Sequence, residues 1–411
     1  MKLLVFAHTP PPHHGQSYMV KLMLDRFGGD RRKQSKGEKA PVGEIECYHV
    51  NSRFSDDLAD IGALRIGKVL LMLRYCVEAI WCRFRYGTHA FYYVPAPGKR
   101  AALYRDWIVM LLCRPFFRHF VHHWHAAGLG DWLAENGTPV ERWITHRLLG
   151  KPALGIAVAI ASMRDSLWFR SRKAEVVPYG IPDPCPNYVQ QTHDRRSYRL
   201  KARCKLLNGH QLLGEERAMS GGDPEVFRVL FLSNCLREKG LFDTIDGVVL
   251  ANQQLKSAGA PVRVHLTVAG GFLTEEEETE FKHRLENPQV ESCVSYSGFC
   301  CGNEKALLLH ECDCLCFPTY YGAESFGLVV IEAMAAGMSI VTTRWRALPE
   351  ILPPNYPGLV PIRAPKEIAA TFQRMFRYDS RWLRTIFEER FTESRYLEEL
   401  STALRTLPAG E

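Results

Sequence analysis

The stretch CLCFPTYYGAESFGLVVIEAMAAG, residues 314–337, joins a short apolar run, a polar turn and a longer apolar run. The first run has the length of a buried strand, and the second predicts a buried helix that starts after Ser325 and stops at Gly337. Two carboxylates do not fit this pattern. Glu324 lies in the turn, and Glu332 lies on the apolar helix, where an acid is seldom without a partner. Both glutamates are therefore candidate functional residues.

The same alternation of strand and helix extends outward in both directions. Apolar runs such as KLLVFAH, EIECYHV and HAFYYVP alternate with amphipathic segments in the first half, and VFRVLFLSN, VRVHLTVAGG and MSIVTT continue the rhythm in the second. This rhythm is typical of parallel sheets covered by helices on both faces. The sequence therefore predicts an α/β protein with two Rossmann-like, doubly wound domains that face a cleft, with ligands beyond the carboxyl ends of the strands.

Prolines and a change in composition mark the expected domain boundaries. An N-terminal domain is predicted over residues 1–186, because prolines interrupt the rhythm at GIPDPCP. Residues 187–225 are polar and basic without a sustained period, and we expect a linker or surface insertion there. The second domain is predicted over residues 226–376. Residues 377–411 have a helical pattern and are expected to return to the first domain.

The composition narrows the class of protein. The chain has 411 residues, 46% of them hydrophobic, and a formal net charge of +7, which suits a globular protein of about two domains and does not favour nucleic acid as a partner. The N-terminal apolar run is too short for a secretory signal, and no run reaches the ~20 apolar residues of a membrane span. A cytoplasmic location is expected. Thirteen cysteines without framework spacing predict reduced thiols.

The second half of the sequence resembles a known family, the retaining GT-B-fold glycosyltransferases of family four, or glycosyl transferases group 1. The resemblance rests on FLSNCLREKG, LTVAGG, VSYSGF, the stretch 314–337 and the PEI of RWRALPEIL, in the family's order and spacing. VVPYGIPDP and PPPHHGQS resemble its first domain more weakly. The resemblance implies a hexosyl or related transferase that moves a sugar from a nucleotide-diphosphate sugar to a glycan or lipid-linked acceptor in cell-envelope polysaccharide or lipopolysaccharide synthesis.

The resemblance also implies roles for individual residues. A carboxylate at Glu324 would face the sugar hydroxyls and one at Glu332 the ribose, both as charge-assisted contacts. Lys239 would neutralise the diphosphate, together with the amides of the helix start. The implied donor-binding set is Asn234, Lys239, Gly270, Glu324, Phe326, Gly327, Leu328 and Glu332. No cofactor and no metal are expected, since the nucleotide sugar is a substrate.

The stretch RHFVHHWHA supplies a third catalytic candidate beside Glu324 and Lys239. If it is a strand, His119, His123 and His125 share one face and His122 lies on the other. In the family a histidine often ends this strand and reaches the reacting sugar, and His125 matches it best. A hydrogen-bonded histidine at a strand end and a metal cluster are the alternatives.

Position 234 departs from the family pattern. The family usually has arginine where this chain has Asn234, and the missing charge would have to come from Arg237, Arg344 or Arg346. Asparagine offers only a neutral amide. Together with the tyrosine in PYG, this departure leaves room for a binding-only descendant. A nucleotide-sugar epimerase or hydrolase on the same fold is a further alternative.

Two segments of the first half are candidates for contacts with the acceptor and with a membrane. In PPPHHGQS, Gly15 and Gln16 form a candidate acceptor-side loop, although a tight turn before a helix would explain the glycine equally well. The amphipathic stretch LRIGKVLLMLRYCVEAIWCRFRYG predicts peripheral association with the cytoplasmic face of the inner membrane. An ordinary core helix with a basic outer face is the alternative. The basic residues of this stretch are Arg65, Lys68, Arg74, Arg83 and Arg85.

Overall fold

A computed structural model describes residues 1–11, 15–33, 45–53 and 66–408. The chain forms two compact units that are each assembled from separate segments. The first unit comprises Met1–Gly180, Gly322–Phe326 and Ser394–Glu411, and the second comprises Ile181–Tyr321 and Gly327–Glu393. The five residues that include Glu324 therefore belong to the first unit, although the sequence predicted them within the second domain.

The first unit is built on a six-stranded parallel sheet in the order β2-β1-β3-β4-β5-β6. The chain order reverses between β1 and β3, which makes this the topological switch point of the sheet. The strands are β1 (Lys2–Ala7), β2 (Glu46–Asn51), β3 (Ala90–Tyr93), β4 (His119–Trp124), β5 (Leu154–Ala157) and β6 (Ala174–Val176). The helices are α1 (Gly15–Arg26), α2 (Ile66–Tyr86), α3 (Arg100–Cys113), α4 (Leu129–Asn136), α5 (Pro139–Leu149) and α6 (Met163–Trp168).

Apolar strands form the core of this unit, as expected for a sheet covered on both faces. Residues 3–7 of β1 are all buried, and so are all four residues of β3. Helix α2 packs on this core with side chains spaced three or four residues apart, namely Met72, Cys76, Ala79 and Cys82. One face of α2 is therefore fixed against the sheet.

The second unit repeats the architecture with a parallel sheet in the order β12-β11-β10-β7-β8-β9. Its switch point lies between β7 and β10. The strands are β7 (Val226–Leu232), β8 (Arg263–Ala269), β9 (Val294–Gly298), β10 (Cys314–Phe317), β11 (Ser339–Thr343) and β12 (Leu359–Val360). The helices are α7 (Asp194–Leu207), α8 (Gly214–Met219), α9 (Leu241–Ser257), α10 (Glu275–Leu285), α11 (Pro288–Glu291), α12 (Gly302–Glu311), α13 (Leu328–Ala335), α14 (Leu348–Ile351), α15 (Pro365–Met375) and α16 (Leu383–Arg390). The predicted doubly wound α/β fold is confirmed for both halves.

The last helix, α17 (Glu393–Arg405), returns to the first unit, as predicted. Tyr396 of this helix is buried and its ring centroid lies 5.9 Å from that of Tyr179. The return begins later than the predicted residue 377, because α16 and the residues up to 393 belong to the second unit.

Residues 187–225 form an integral part of the second unit, which differs from the predicted linker or insertion. They contain a π-helical turn (Val189–His193), α7 and α8. The side chains of Arg199 and Arg203 are buried and donate to the two carboxylate oxygens of Asp313, at 2.9 and 2.7 Å. The sequence pattern missed this helix because buried ion pairs, rather than an apolar stripe, attach it to the sheet.

Two expectations from composition can be compared with the structure. All thirteen cysteines are free thiols, and Cys314 and Cys316 are buried within β10, as predicted. Within the described ranges, no helix is both long and apolar enough to cross a membrane.

Candidate functional site

The switch point of the second sheet collects most of the residues singled out in the sequence. Strands β10, β7 and β8 are neighbours, and the ligands of open α/β sheets bind beyond the carboxyl ends of the strands at such a point. Asn234 and Lys239 follow β7, and Gly270 follows β8. The segment after β10 leads to α13, which carries Glu332. These residues of the second unit are thus placed along one edge of its sheet.

Lys239 ends a single 3-10 turn, Arg237–Lys239, between β7 and α9. Its ammonium nitrogen lies 4.7 Å from the ring centroid of Tyr321 and 5.5 Å from that of Phe317. Contacts of this kind stabilise a cation electrostatically. The structure therefore holds a positive charge beside the carboxyl end of β10, which is the place where the family resemblance expects the diphosphate.

The turn that carries Lys239 is tied to the segment after β10. Gly240 has a φ of 84°, and a Cβ atom there would lie 2.5 Å from the carbonyl oxygen of Pro318. The backbone N–H of Tyr320 donates to the carbonyl oxygen of Glu238 at 2.8 Å. Only glycine fits this close approach at position 240. The glycine of REKG therefore fixes the position of Lys239.

Gly270 also has a packing reason for being glycine. A Cβ atom at this position would lie 1.7 Å from the carbonyl oxygen of Ser233, the residue before Asn234. The backbone N–H of Gly270 donates to the carbonyl of Gly298 at 2.7 Å, and the hydroxyl of Tyr296 donates to the carbonyl of Gly270 at 2.9 Å. The missing side chain lets the segments after β7 and β8 pack together, and this packing positions Asn234.

Arg237, one candidate for the charge missing at Asn234, is engaged elsewhere. Its guanidinium pairs with Glu280 and lies 4.8 Å from the ring centroid of Phe242, and its backbone N–H donates to Glu277 at 2.7 Å. These contacts direct its charge to helix α10. Arg237 is therefore not positioned as a substitute for the arginine.

Arg346 follows Trp345, a residue that contacts the segment beside Lys239. Its guanidinium lies 5.5 Å from the ring centroid of Trp345, and the indole N–H of Trp345 donates to the carbonyl oxygen of Tyr321 at 2.9 Å. Tyr321 is also the residue whose ring lies nearest to the Lys239 ammonium among the contacts given above. Arg344 is exposed to solvent. Arg346 is thus linked through Trp345 to the segment that carries Tyr321.

Helix α13 starts at Leu328, two residues later than predicted. Gly327 is the residue before the helix and has a left-handed φ of 83°, and a Cβ atom there would lie 2.9 Å from a methyl carbon of Leu348. The expectation that Gly327 lies in the first turn is wrong, because a left-handed residue cannot continue an α-helix. Leu328 is the first residue of the helix, where backbone amides generally have no intrahelical acceptor, whereas the N–H of Val330 donates to the carbonyl oxygen of Gly327 at 2.9 Å.

The predicted stop of α13 is confirmed. Gly337 has a φ of 62°, its N–H donates to Met334, and the N–H of Met338 donates to Ala333 at 3.0 Å. This pair of bonds is a Schellman motif.

Glu332 has a partner that the sequence analysis did not identify. Its Oε1 atom lies 2.8 Å from the ammonium nitrogen of Lys305 on α12, and the two side chains are 15% and 32% exposed. Lys305 is the single lysine or arginine of α12, but no periodicity links α12 to α13 across the intervening strand. The ion pair with Lys305 therefore explains in part why Glu332 is tolerated on an apolar helix.

Glu324 and its neighbours lie in the first unit. The hydroxyl of Ser325 donates to the carbonyl oxygen of His125 at 2.5 Å, and the ring centroid of Phe326 lies 5.2 Å from that of Tyr179. Glu324 is 9% exposed. The pKa of Tyr179 is raised well above its usual range. Burial is the main cause, and the nearby Tyr396 and Glu324 raise the pKa further. Glu324 precedes α13 by four residues, so it lies outside the first turn of that helix.

His125 is buried among tyrosines. Its Nδ1 atom contacts the hydroxyl of Tyr179, and its Nε2 atom lies 3.2 Å from the hydroxyl of Tyr92. Tyr92 also contacts His123 at 2.6 Å. Both ring nitrogens of His125 thus have tyrosine partners, which agrees with the alternative of a hydrogen-bonded histidine at a strand end.

The histidines of β4 follow the predicted alternation. The rings of His123 and His125 lie 4.0 Å apart, whereas the ring of His122 packs against Trp124 at 5.8 Å. Burial lowers the pKa of His122 and of His123 to about 3, so both are neutral near pH 7. In the described part of the chain, no group of three or more histidine, cysteine or acidic side chains is arranged to hold a metal ion.

Gly15 and Gln16 are the first two residues of α1. They follow β1 at the switch point of the first sheet, and Gly15 is exposed. The preceding part of the predicted loop, residues 12–14, lies outside the described residues. The two residues therefore occupy a helix N-terminus at the edge where a ligand of this unit would bind.

Most of the second unit, together with residues 322–326 of the first, matches a known protein family. Residues 215–391 match the family described as glycosyl transferases group 1. This segment is a group 1 glycosyltransferase domain. The domain extends from α8 to the end of α16, and it contains Asn234, Lys239, Gly270, Glu324 and Glu332.

Curated relatives of the domain match over part of their length. The putative colanic acid biosynthesis glycosyltransferase WcaL of Salmonella typhimurium is 25% identical over 163 residues, which are 38% of this chain and 38% of that protein. The mannosylfructose-phosphate synthase of Agrobacterium fabrum is 32% identical over 119 residues, 28% of this chain and 25% of that protein. The chain thus matches less than two-fifths of the length of these relatives.

Solved structures resemble the whole chain. Sucrose-phosphate synthase from Thermosynechococcus elongatus has a TM-score of 0.66 at 16% identity and covers 99% of both chains. HepE from Anabaena, in complex with UDP and glucose, has a TM-score of 0.62 at 17% identity and covers 99% of this chain and 100% of that chain. At this level of identity, the similarity shows the fold alone. The chain that contains the group 1 domain has the GT-B fold.

Proposed function

We propose that this protein is a retaining glycosyltransferase that moves a sugar from a nucleotide-diphosphate sugar to a hydroxyl of a glycan or lipid-linked acceptor. The observation that carries the proposal is the position of Lys239. Within a group 1 glycosyltransferase domain, its ammonium lies over the rings of Tyr321 and Phe317 at the switch point of the sheet. A fixed cation at this edge is suited to the diphosphate of a donor.

The chemistry assigned to the site is positioning combined with electrostatic stabilisation. The bond between the anomeric carbon and the diphosphate oxygen breaks, and a bond to the acceptor oxygen forms on the same face. The proton of the acceptor hydroxyl passes to the departing phosphate, as the family resemblance implies. Lys239 and the amides at the start of α13 would stabilise the negative charge that the diphosphate gains. The proposal needs no cofactor and no metal.

The two glutamates would orient the donor. Glu324 would accept hydrogen bonds from sugar hydroxyls, and Glu332 would accept from the ribose. Lys305 contacts the Oε1 atom of Glu332, so the Oε2 atom is the one assigned to the ribose. The ion pair would keep the Glu332 carboxylate in one orientation before the nucleotide binds, which lowers the entropy cost of binding.

The pathway assignment rests on a curated relative, and the choice of donor on a solved structure. WcaL is named as a putative colanic acid biosynthesis glycosyltransferase, and HepE is described in complex with UDP and glucose. We therefore propose synthesis of a cell-envelope polysaccharide and choose UDP-sugars as the first donors to test. The expectation of a cytoplasmic location stays a prediction.

A binding-only protein is the second candidate, and a specific contact favours it. The two ring nitrogens of His125 contact tyrosine hydroxyls, and position 234 lacks the usual arginine. An epimerase or hydrolase remains the third. Purified protein incubated with nucleotide sugars separates the three, because nucleotide release that depends on an added acceptor marks a transferase. Release or a new sugar product without acceptor marks the enzyme alternatives, and a thermal shift without release marks the binding protein.

The variant Glu324→Gln tests whether Glu324 takes part in turnover, and a second glutamate-to-glutamine variant serves as its control. A charged hydrogen-bond acceptor contributes about 1.5 to 3 kcal/mol, so turnover should fall roughly 10- to 150-fold while the melting temperature stays unchanged. Glu286→Gln, at the exposed end of α10, is the control and should retain full activity. Full activity of Glu324→Gln would refute the assignment of this residue.

A further inference from the structure

Helix α2 exposes a continuous apolar stripe on the face opposite to the core. The stripe consists of side chains three or four residues apart, all between 38% and 69% exposed, namely Leu70, Leu73, Val77, Trp81 and Phe84. Side chains with this spacing lie on one side of a helix. The stripe extends over about 21 Å, at 1.5 Å per residue. The four buried side chains of α2 fix the opposite face on the sheet, so the stripe cannot turn inward.

Neighbouring helices extend this apolar surface. The ring of Phe116, in the 3-10 turn after α3, lies 5.9 Å from that of Phe84, and the Nε atom of Arg83 donates to its carbonyl at 2.9 Å. Further apolar side chains are exposed on α3 and α5. A hydrogen bond from the indole N–H of Trp107 to the hydroxyl of Thr145 joins these two helices. Their exposed apolar side chains are Leu111, Val140 and Trp143. Contiguous exposed apolar surface, such as the α2 stripe with Phe116, is typical of an interaction site.

The charges around this surface have one sign. The exposed charged side chains of α2 and α5 are arginines, and they are Arg74, Arg85, Arg142 and Arg147. The acids of α2, α3 and α5 are not available to an outside partner. Asp106 and Glu141 are buried, and Glu78 pairs with Arg32. Arg65 and the side chain of Lys68, which also belong to the basic pattern in the sequence, lie outside the described part of the chain.

We propose that the outer face of α2, with the exposed side chains of α3 and α5, docks on an anionic lipid surface. Aliphatic and aromatic side chains would enter the boundary between headgroups and acyl chains, and the arginines would contact anionic headgroups. The uniformly positive charge of this face favours an anionic lipid surface over a second copy of the chain, because a second copy would bring arginines against arginines. The proposal is independent of sugar transfer, since the assay below contains no donor.

Flotation with lipid vesicles tests the proposal directly. The full chain should float with vesicles of phosphatidylglycerol and phosphatidylcholine in equal parts, and it should not float with pure phosphatidylcholine. High salt should release it, because salt screens exposed charges. Absence of flotation with the anionic vesicles at low salt, or equal flotation with both kinds, would overturn the proposal.

A matched pair of double variants locates the docking surface. Val77→Ser/Phe84→Ser removes side chains that are 66% and 69% exposed, and Val189→Ser/Leu213→Ser removes side chains of the second unit that are 63% and 70% exposed. The first should weaken vesicle partition at least about tenfold, and the second should not change it. Equal losses in both would contradict the proposal. Conversion of a dimer to a monomer by the first variant, measured by sedimentation, would also contradict it.

A charge variant keeps the test valid if the apolar variant fails to fold. Arg74→Glu/Arg85→Glu should weaken partition on the order of 25-fold or more, since each arginine near an anionic surface contributes about a fivefold factor. Lys256→Glu/Lys366→Glu alters exposed cations of the second unit and should lose much less. Equal losses would mean that net charge, rather than this face, governs binding, and the proposal would be wrong.

Discussion

Asp313→Asn should destabilise the second unit, although residue 313 lies outside the proposed site. The carboxylate accepts from the buried guanidinium groups of Arg199 and Arg203 and, at 3.0 Å, from the backbone N–H of Arg228. These arginine contacts attach α7 to the start of β10. Asparagine keeps the shape of the side chain but leaves two buried guanidinium groups without a carboxylate.

The magnitude follows from the pKa of Asp313. Although burial opposes ionisation, the charges of Arg203 and Arg199 and the Arg228 amide lower this pKa from 3.8 to about 2. At 1.36 kcal/mol per pKa unit, this corresponds to about 2.4 kcal/mol of stability. For a unit of about 200 residues the melting temperature should fall by roughly 5 to 10 °C.

The pH dependence gives a second reading of the same interaction. The carboxyl pKa is lower in the folded protein than in the unfolded chain, so the stabilisation is complete above about pH 4 and is lost as the pH falls toward about 2. Scanning calorimetry of the wild type and Asp313→Asn should therefore show a difference that is constant near neutral pH and shrinks below about pH 4.

Asp223→Asn is the matched control. Asp223 pairs with Arg263 at 2.9 Å, but the two side chains are 44% and 66% exposed, so its loss should cost less than about 1 kcal/mol. If Asp313→Asn melts within about 2 °C of the wild type at pH 7, or if its deficit does not change with pH, the buried ion pairs do not stabilise the unit as argued.

The remaining predictions concern the donor. Lys239→Ala should nearly abolish transfer while Lys256→Ala does not, and a chelator should leave the wild-type rate unchanged; an active Lys239→Ala enzyme would refute the assigned role. Glu332→Ala should raise the donor KM with little change in kcat, as steady-state kinetics will show. Arg346→Ala should weaken donor affinity in a calorimetric titration, and Asn234→Arg should tighten it only if Arg346 does not already supply the charge. Equal affinities in all three proteins would remove both arginine positions from the site.

Repeated local patterns made much of the architecture predictable. Apolar runs such as the one in β1 and the stop at Gly337 depend on neighbouring residues, so periodicity and turn chemistry are sufficient to find them. The helical character of α7 was missed because its attachment depends on Asp313, more than a hundred residues away. The same holds for the pairing of Glu332 with Lys305.

The site was predictable at the level of motifs but not of contacts. The resemblance singled out Lys239, and the structure adds the aromatic rings that hold its ammonium. The helix start was misplaced because apolar Phe326 reads as helix, whereas the left-handed Gly327 is set by its approach to Leu348. The tyrosine partners of His125 come from other strands and loops, and no spacing in the sequence brings them together.

The segmented first unit has a consequence for synthesis on the ribosome. Residues 322–326 and 394–411 belong to this unit, and Tyr179 packs against Phe326 and Tyr396. Residues 1–180 leave the ribosome well before residues 322–326 and 394–411 are synthesised. The N-terminal half therefore stays incompletely folded while the second unit is translated. A nascent chain stalled before residue 394 would leave Tyr179 and its surroundings uncovered and accessible to chaperones and proteases. The N-terminal half is therefore the last part of this protein to become native.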